Sequence, residues 1–161
     1  MAISEKLILP SEKRLLSRPT DDAFVRKIGQ LGFKTVMQTG CTLTDTVDDG
    51  LAELDREGSI RLITLAHESS IPAMAAGRYL ATGEVVLQKA QNTALGNLYD
   101  GKIFEMVFRI PSVTMISERG GPEEDSEPHI ETRKRSLKVE RALYEKARYM
   151  ELTTVQISFS I

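Results

Sequence analysis

The sequence has no tryptophan, a single cysteine and no apolar run long enough to span a bilayer. One cysteine, Cys41, excludes an internal disulfide framework and argues against a thiolate metal site. It has no adjacent base and reads as an inert buried thiol. Without a spanning run or a signal-type apolar core at the N-terminus, the expectation is a cytoplasmic protein with no membrane partner. Neither sign of charge dominates: the net charge is −2, so the total implies no nucleic-acid surface. Internal repeats, low-complexity segments and the glycine-rich phosphate loops of nucleotide-binding folds are all missing.

What remains is a 161-residue chain with 41% apolar and 27% charged residues, enough for one domain with a sizeable core. Residues 1–20 lack periodicity, apart from a possible short strand at Leu7–Leu9, and read as an N-terminal arm. Residues 21–161 read as one α/β domain.

The domain opens with a helix start at Thr20-Asp21-Asp22, followed by Phe24, Val25, Ile28 and Leu31 at helical spacing and Gly32 as its stop. Strands are expected at Phe33–Gln38, Arg61–Ala66, Glu84–Lys89, Ser112–Ser117 and Thr153–Ile161. Between them, helices are expected from Thr42 or Thr44 to about Glu57, over Ser70–Ala81, over Leu95–Phe104 and within Thr132–Met150. Met106–Arg109 reads as a connector, and Glu118–Ile130 as a charged loop rich in glycine and proline. Strands alternating with helices predict a three-layer α/β sandwich: a mostly parallel sheet with helices on both faces.

The organising stretch is His67–Asn97, HESSIPAMAAGRYLATGEVVLQKAQNTALGN. Glu68 falls at the carboxyl end of one expected strand, and Gln91-Asn92-Thr93 at the end of the next. In open α/β sheets that rim is where ligands bind. The intervening helix carries Ala73, Ala75, Ala76, Gly77 and Ala81. Such small residues suit either tight packing on the sheet or an interface with another chain, and the residues alone leave both open.

Ala66-His67-Glu68, Ala75-Ala76-Gly77, Tyr79-Leu80-Ala81-Thr82-Gly83 and Gln91-Asn92-Thr93-Ala94-Leu95-Gly96-Asn97 together resemble the pyrimidine-binding domain of thiamine-diphosphate-dependent decarboxylases. The nearest resemblance is to phosphonopyruvate and sulfopyruvate decarboxylases. Arg119-Gly120 and Glu127-Pro128 also fit, and the likeness runs from about Asp21 to Leu152. It implies the thiamine-diphosphate-binding fold, with Glu68 as the carboxylate that hydrogen-bonds the cofactor's pyrimidine and assists its activation. Gln91, Asn92 and Thr93 would line the cofactor pocket. Thr42, Arg119 and His129 are candidate substrate contacts, with His67 at most supporting Glu68. Read without the resemblance, Glu68 is a helix-start carboxylate favoured by the helix dipole.

Two departures stand out. Thr93-Ala94 replaces a Ser-Gly pair, and Thr39-Gly40-Cys41-Thr42 lacks the proline and first glycine of the family's turn. The Gly-Asp-Gly motif and later Asn pair that would hold Mg2+ and the diphosphate are also missing; Asp48-Asp49-Gly50 has no glycine before it. No metal ligand is therefore assigned to this chain. The resemblance implies one subunit of a split, hetero-oligomeric enzyme, with thiamine diphosphate and Mg2+ held mainly by a partner bearing Gly-Asp-Gly. The expected substrate is a small 2-oxo acid with an anionic tail. The alternatives are a carboligase subunit, a non-catalytic scaffold or regulatory partner, and a flavodoxin-like binder of a small molecule.

Overall fold

The computed structural model describes residues 19–40, 44–91, 94–118 and 154–160, with residue 138 between them. Four helices and five strands follow in order: α1 Pro19–Gln30, β1 Thr35–Gln38, α2 Asp45–Arg56, β2 Arg61–Thr64, α3 Ser70–Thr82, β3 Leu87–Gln91, α4 Leu95–Val107, β4 Ser112–Glu118 and β5 Thr154–Ser160. The strands form one sheet in the order β2-β1-β3-β4-β5, and every pair is parallel. Parallel neighbours need crossover connections, which the helices supply.

Alternation along the strands sends side chains to two cores, as expected for a sheet covered on both faces. Val36, Leu87 and Met115 pack with Val25 and Ile28 of α1 and with Val47 and Leu51 of α2. Met37, Ala90 and Ile116 pack with Ile71 and Ala75 of α3 and with Leu95 and Leu98 of α4. Leu51, Ile71 and Leu98 are fully buried. Burying a side chain of this size contributes about 1.5–3 kcal/mol. The three-layer α/β architecture is thus as the sequence predicts.

Several boundaries differ. The third strand is Leu87–Gln91 rather than Glu84–Lys89, because its ladder with the short β1 begins at Val36↔Leu87. Gln91 therefore belongs to the strand. α4 runs on to Val107 and buries Met106 at 4% exposure, so the expected connector is the last turn of a helix. Leu31 lies beyond the end of α1 and is 52% exposed, so it is not part of the helix stripe. Helix α1 begins at Pro19, just inside the expected arm; residues 1–18 lie outside the described residues. Gly83 ends α3 at φ 72°, a left-handed position that glycine adopts without a Cβ penalty.

The small-residue helix packs on the sheet with only some of its small residues. Ala75 and Ala76 are buried on the sheet, whereas Ala73, Gly77 and Ala81 face outward. A Cβ on Gly77 would meet nothing within 4 Å. Among the described residues, no helix is long and apolar enough to cross a membrane.

Candidate functional site

From β1 the chain moves outward to β2 and then returns to β3 on the other side of β1. At such a reversal, here the carboxyl ends of β1 and β3, open α/β sheets form the crevice in which ligands bind. Three groups of residues surround that rim.

The first is Glu68. β2 ends at Thr64, and the segment 65–69 carries the chain into α3. The Ser70 and Ile71 amides donate to the carbonyls of His67 and Glu68 at 3.2 and 3.0 Å, fixing the helix entry. Glu68 is half-buried there, at the positive end of α3. Its Oε2 accepts a hydrogen bond from Nδ2 of Asn97 at 3.4 Å, across 29 positions of sequence. Asn97 sits in the first turn of α4. The rim reading and the helix-start reading of Glu68 are therefore both realised in one place.

The Glu68–Asn97 pairing follows from how closely the two helices approach. A Cβ on Gly101 would overlap the Pro72 ring, coming within 2.9 Å of its Cβ. Asn97 lies one turn before Gly101 on α4, and Glu68 lies four residues before Pro72. The missing side chain at Gly101 thus brings the two helix starts together. Asn97 was visible in the sequence only as the last residue of the polar block after β3; nothing in its spacing paired it with Glu68.

The second group is His67 and Ser69. The Ser69 amide donates to His67 Nδ1 at 3.3 Å, and the Ser69 hydroxyl lies 2.7 Å from the same nitrogen. With Nδ1 as acceptor, a neutral ring carries its proton on Nε2. Ser69 is the N-cap of α3 by position, but its side chain makes no cap bond. The ring is exposed beside Glu68, with no contact to it among the described residues.

The third group lines the ends of the central strands. Gln91 closes β3 and is half-buried. Gln38 closes β1 at 3% exposure, and Thr39 follows it at 8%. Asn92, Thr93 and Thr42, together with Arg119 and His129, lie outside the described residues, as do Cys41 and the charged loop.

Asp48-Asp49-Gly50 lies within α2 rather than on a loop. Asp48 is ion-paired with Lys89, and a Cβ on Gly50 would come within 2.9 Å of Val25. These residues are engaged in helix packing. Among the described residues, no group of three or more His, Cys, Asp or Glu converges as a metal site. A cleft of ≈ 460 Å3 also exists, lined by Leu31–Lys34 and Thr82–Val85. It lies at the amino ends of β1 and β3, the opposite edge of the sheet from Glu68.

No protein-family model matches this chain, and no curated protein matches it in sequence. Its fold is similar to that of a solved 2-oxoglutarate:ferredoxin oxidoreductase from Magnetococcus marinus, a structure holding 2-oxoglutarate, coenzyme A and succinyl-CoA. The TM-score is 0.58 at 13% identity; the match covers 87% of this chain and 28% of that one. The chain therefore corresponds to roughly one domain's share of that larger protein, and the likeness establishes the fold.

Proposed function

We propose that the chain is the pyrimidine-binding subunit of a thiamine-diphosphate-dependent enzyme that decarboxylates an anionic 2-oxo acid. The observation that carries this reading is Glu68, half-buried at the carboxyl rim of the sheet, with the Asn97 amide on one of its oxygens. One oxygen is thereby oriented from the protein side, and the carboxylate retains acceptor capacity for a ligand. A carboxylate so held shares a proton with a pyrimidine ring nitrogen and favours the ring's basic tautomer. The residues present fit the pyrimidine end of the cofactor. Bound thiamine diphosphate supplies a carbon nucleophile that adds to the keto carbon and accepts the electron pair left as carbon dioxide departs.

Gln91, together with Asn92 and Thr93, is the proposed pocket wall; Thr42, Arg119 and His129 are proposed substrate contacts. The diphosphate and Mg2+ would be held by a partner chain carrying Gly-Asp-Gly, because a diphosphate needs a cation to offset its charge. The solved neighbour supports the substrate class, since the 2-oxoglutarate it holds is itself a 2-oxo acid with an anionic tail. That neighbour also motivates a second reading, in which this subunit serves an oxidoreductase and the electrons leave the substrate instead of being quenched by a proton.

The test is calorimetric titration of thiamine diphosphate and Mg2+ into this chain alone and into its mixture with a co-encoded Gly-Asp-Gly partner. Binding is expected only in the mixture, with turnover of 2-oxo acids lost in Glu68→Gln. Aldehyde as product supports the decarboxylase, and reduction of an electron acceptor supports the second reading. Absence of binding in the mixture overturns both.

A further inference from the structure

Lys89 is the middle residue of β3 and is 1% exposed. It shares a face of the sheet with Leu87, which packs against α1 and α2. An ammonium ion buried this deeply is strongly disfavoured unless paired and hydrogen-bonded. Among the described residues, the pairing comes from the start of α2. Nζ forms an ion pair with Asp48 and donates to the Thr44 hydroxyl at 2.9 Å, bridging 41 and 45 positions of sequence.

Thr44 shows that this arrangement has a cost. It stands at the N-cap of α2, yet its side chain makes no cap bond. Its hydroxyl is instead beside Lys89 and 3.4 Å from both Asp48 oxygens. The stabilisation that a threonine cap supplies is forgone here. Gln38 adds a further element. It is the partner of Lys89 across the β1–β3 ladder, on the same face, and its Oε1 is buried without a partner among the described residues. The ammonium has three protons, and this unpartnered oxygen lies on the same face of the adjacent strand.

We infer that Lys89 is a positioning residue. Its ammonium ties the start of α2 to the middle of β3 and so fixes the two elements that flank the crevice. Gln91, two residues on, is held at the rim by this tie, as is the backbone at Thr39-Gly40 that leads toward α2. The identity of the crevice's ligand rests on the proposed function; the tie itself does not.

Amide hydrogen exchange on the full chain separates the two. In Lys89→Met, segments 44–51 and 89–91 are expected to exchange at least tenfold faster, with 36–37 and 115–116 unchanged. Asp48→Asn breaks the same tie from its more exposed end and is expected to give the same pattern, the double variant adding little. Should Lys89→Met fail to fold, Asp48→Asn and Thr44→Val carry the test. Uniform acceleration across the sheet, or no change in segments 44–51 and 89–91, overturns the inference. In the mixture with the partner, Asp48→Asn is expected to raise the Kd for thiamine diphosphate about tenfold while leaving kcat at saturating cofactor unchanged. If the wild-type mixture binds no thiamine diphosphate, the functional reading falls and the exchange pattern still decides the tie.

Discussion

Pro72 of α3 seats where the side chain of Gly101 would be on α4, and one turn away this contact brings Glu68 and Asn97 into hydrogen-bonding range. Helix packing and site geometry are thus a single constraint. Gly101→Ala is expected to destabilise the chain by about 1–3 kcal/mol through overpacking. On the proposed function, it should also weaken thiamine-diphosphate binding in the mixture with the partner by separating the helix starts. Urea unfolding and calorimetric titration read the two effects.

Gly77→Ala provides the contrast. Position 77 is inside α3, a Cβ there meets open space, and its φ is not positive. Replacing a helix-interior glycine with alanine is expected to stabilise the isolated chain by about 0.5–1 kcal/mol. Urea unfolding at one protein concentration checks it.

Asn97→Leu removes the donor to Glu68 at an exposed position. The bond is long, so about 1 kcal/mol is expected, or roughly a fivefold rise in the Kd for thiamine diphosphate. Stability should change by less than about 0.5 kcal/mol, as is usual for a surface substitution. The pair of measurements, Kd and unfolding midpoint, distinguishes a role at the site from a role in the fold.

A second buried charge lies in the other core. Lys102, 5% exposed, donates to Glu105 Oε2 at 2.8 Å, while Gln88 Nε2 donates to Glu105 Oε1 at 2.5 Å. Burial lowers the Lys102 pKa below its ordinary 10.5, outweighing the opposing pull of Glu105. The unfolded chain therefore holds this proton to higher pH than the folded one, and stability should rise with pH between the folded value and 10.5. Lys102→Met should abolish that slope and cost about 3–5 kcal/mol by leaving Glu105 unpaired. Lys102→Met with Glu105→Gln, which keeps an acceptor for Gln88, should recover most of the loss in urea unfolding.

Arg78 places Nε and Nη2 on a single Glu84 oxygen, at 2.9 and 2.7 Å. This hydrogen bonding is the main reason the Glu84 pKa lies below its ordinary 4.5. A carboxylate depressed by folding contributes stability above its unfolded value, and the contribution is lost as pH falls through the folded one. Arg78→Met should cost about 0.5–1 kcal/mol at neutral pH and flatten the stability profile below 4.5. Unfolding midpoints measured from pH 3 to 7 test the sign.

The layer order was legible because strands and helices alternate with distinct periods, and the position of Glu68 was legible because it follows a strand and precedes a helix. The buried polar residues were not. Lys89 reads as the charged end of a strand, yet it lies in the core because Asp48 and Thr44 reach it from α2. Lys102 and Glu105 have the spacing of an exposed helical ion pair, and Gln88 and Ser112 of the sheet supply the partners that hold them in the interior. Periodicity records which positions face inward on average. It does not carry the long-range pairing that lets a charge sit there.

β2 is the outer strand of the described sheet, four residues long, with Arg61 and Thr64 exposed at its ends. Such a strand is a poor template for edge-to-edge association. Glu68 follows this strand, so it occupies a corner of the domain rather than the floor of a basin. Among the described strands, none lies outside β2 to wall Glu68 in on that flank.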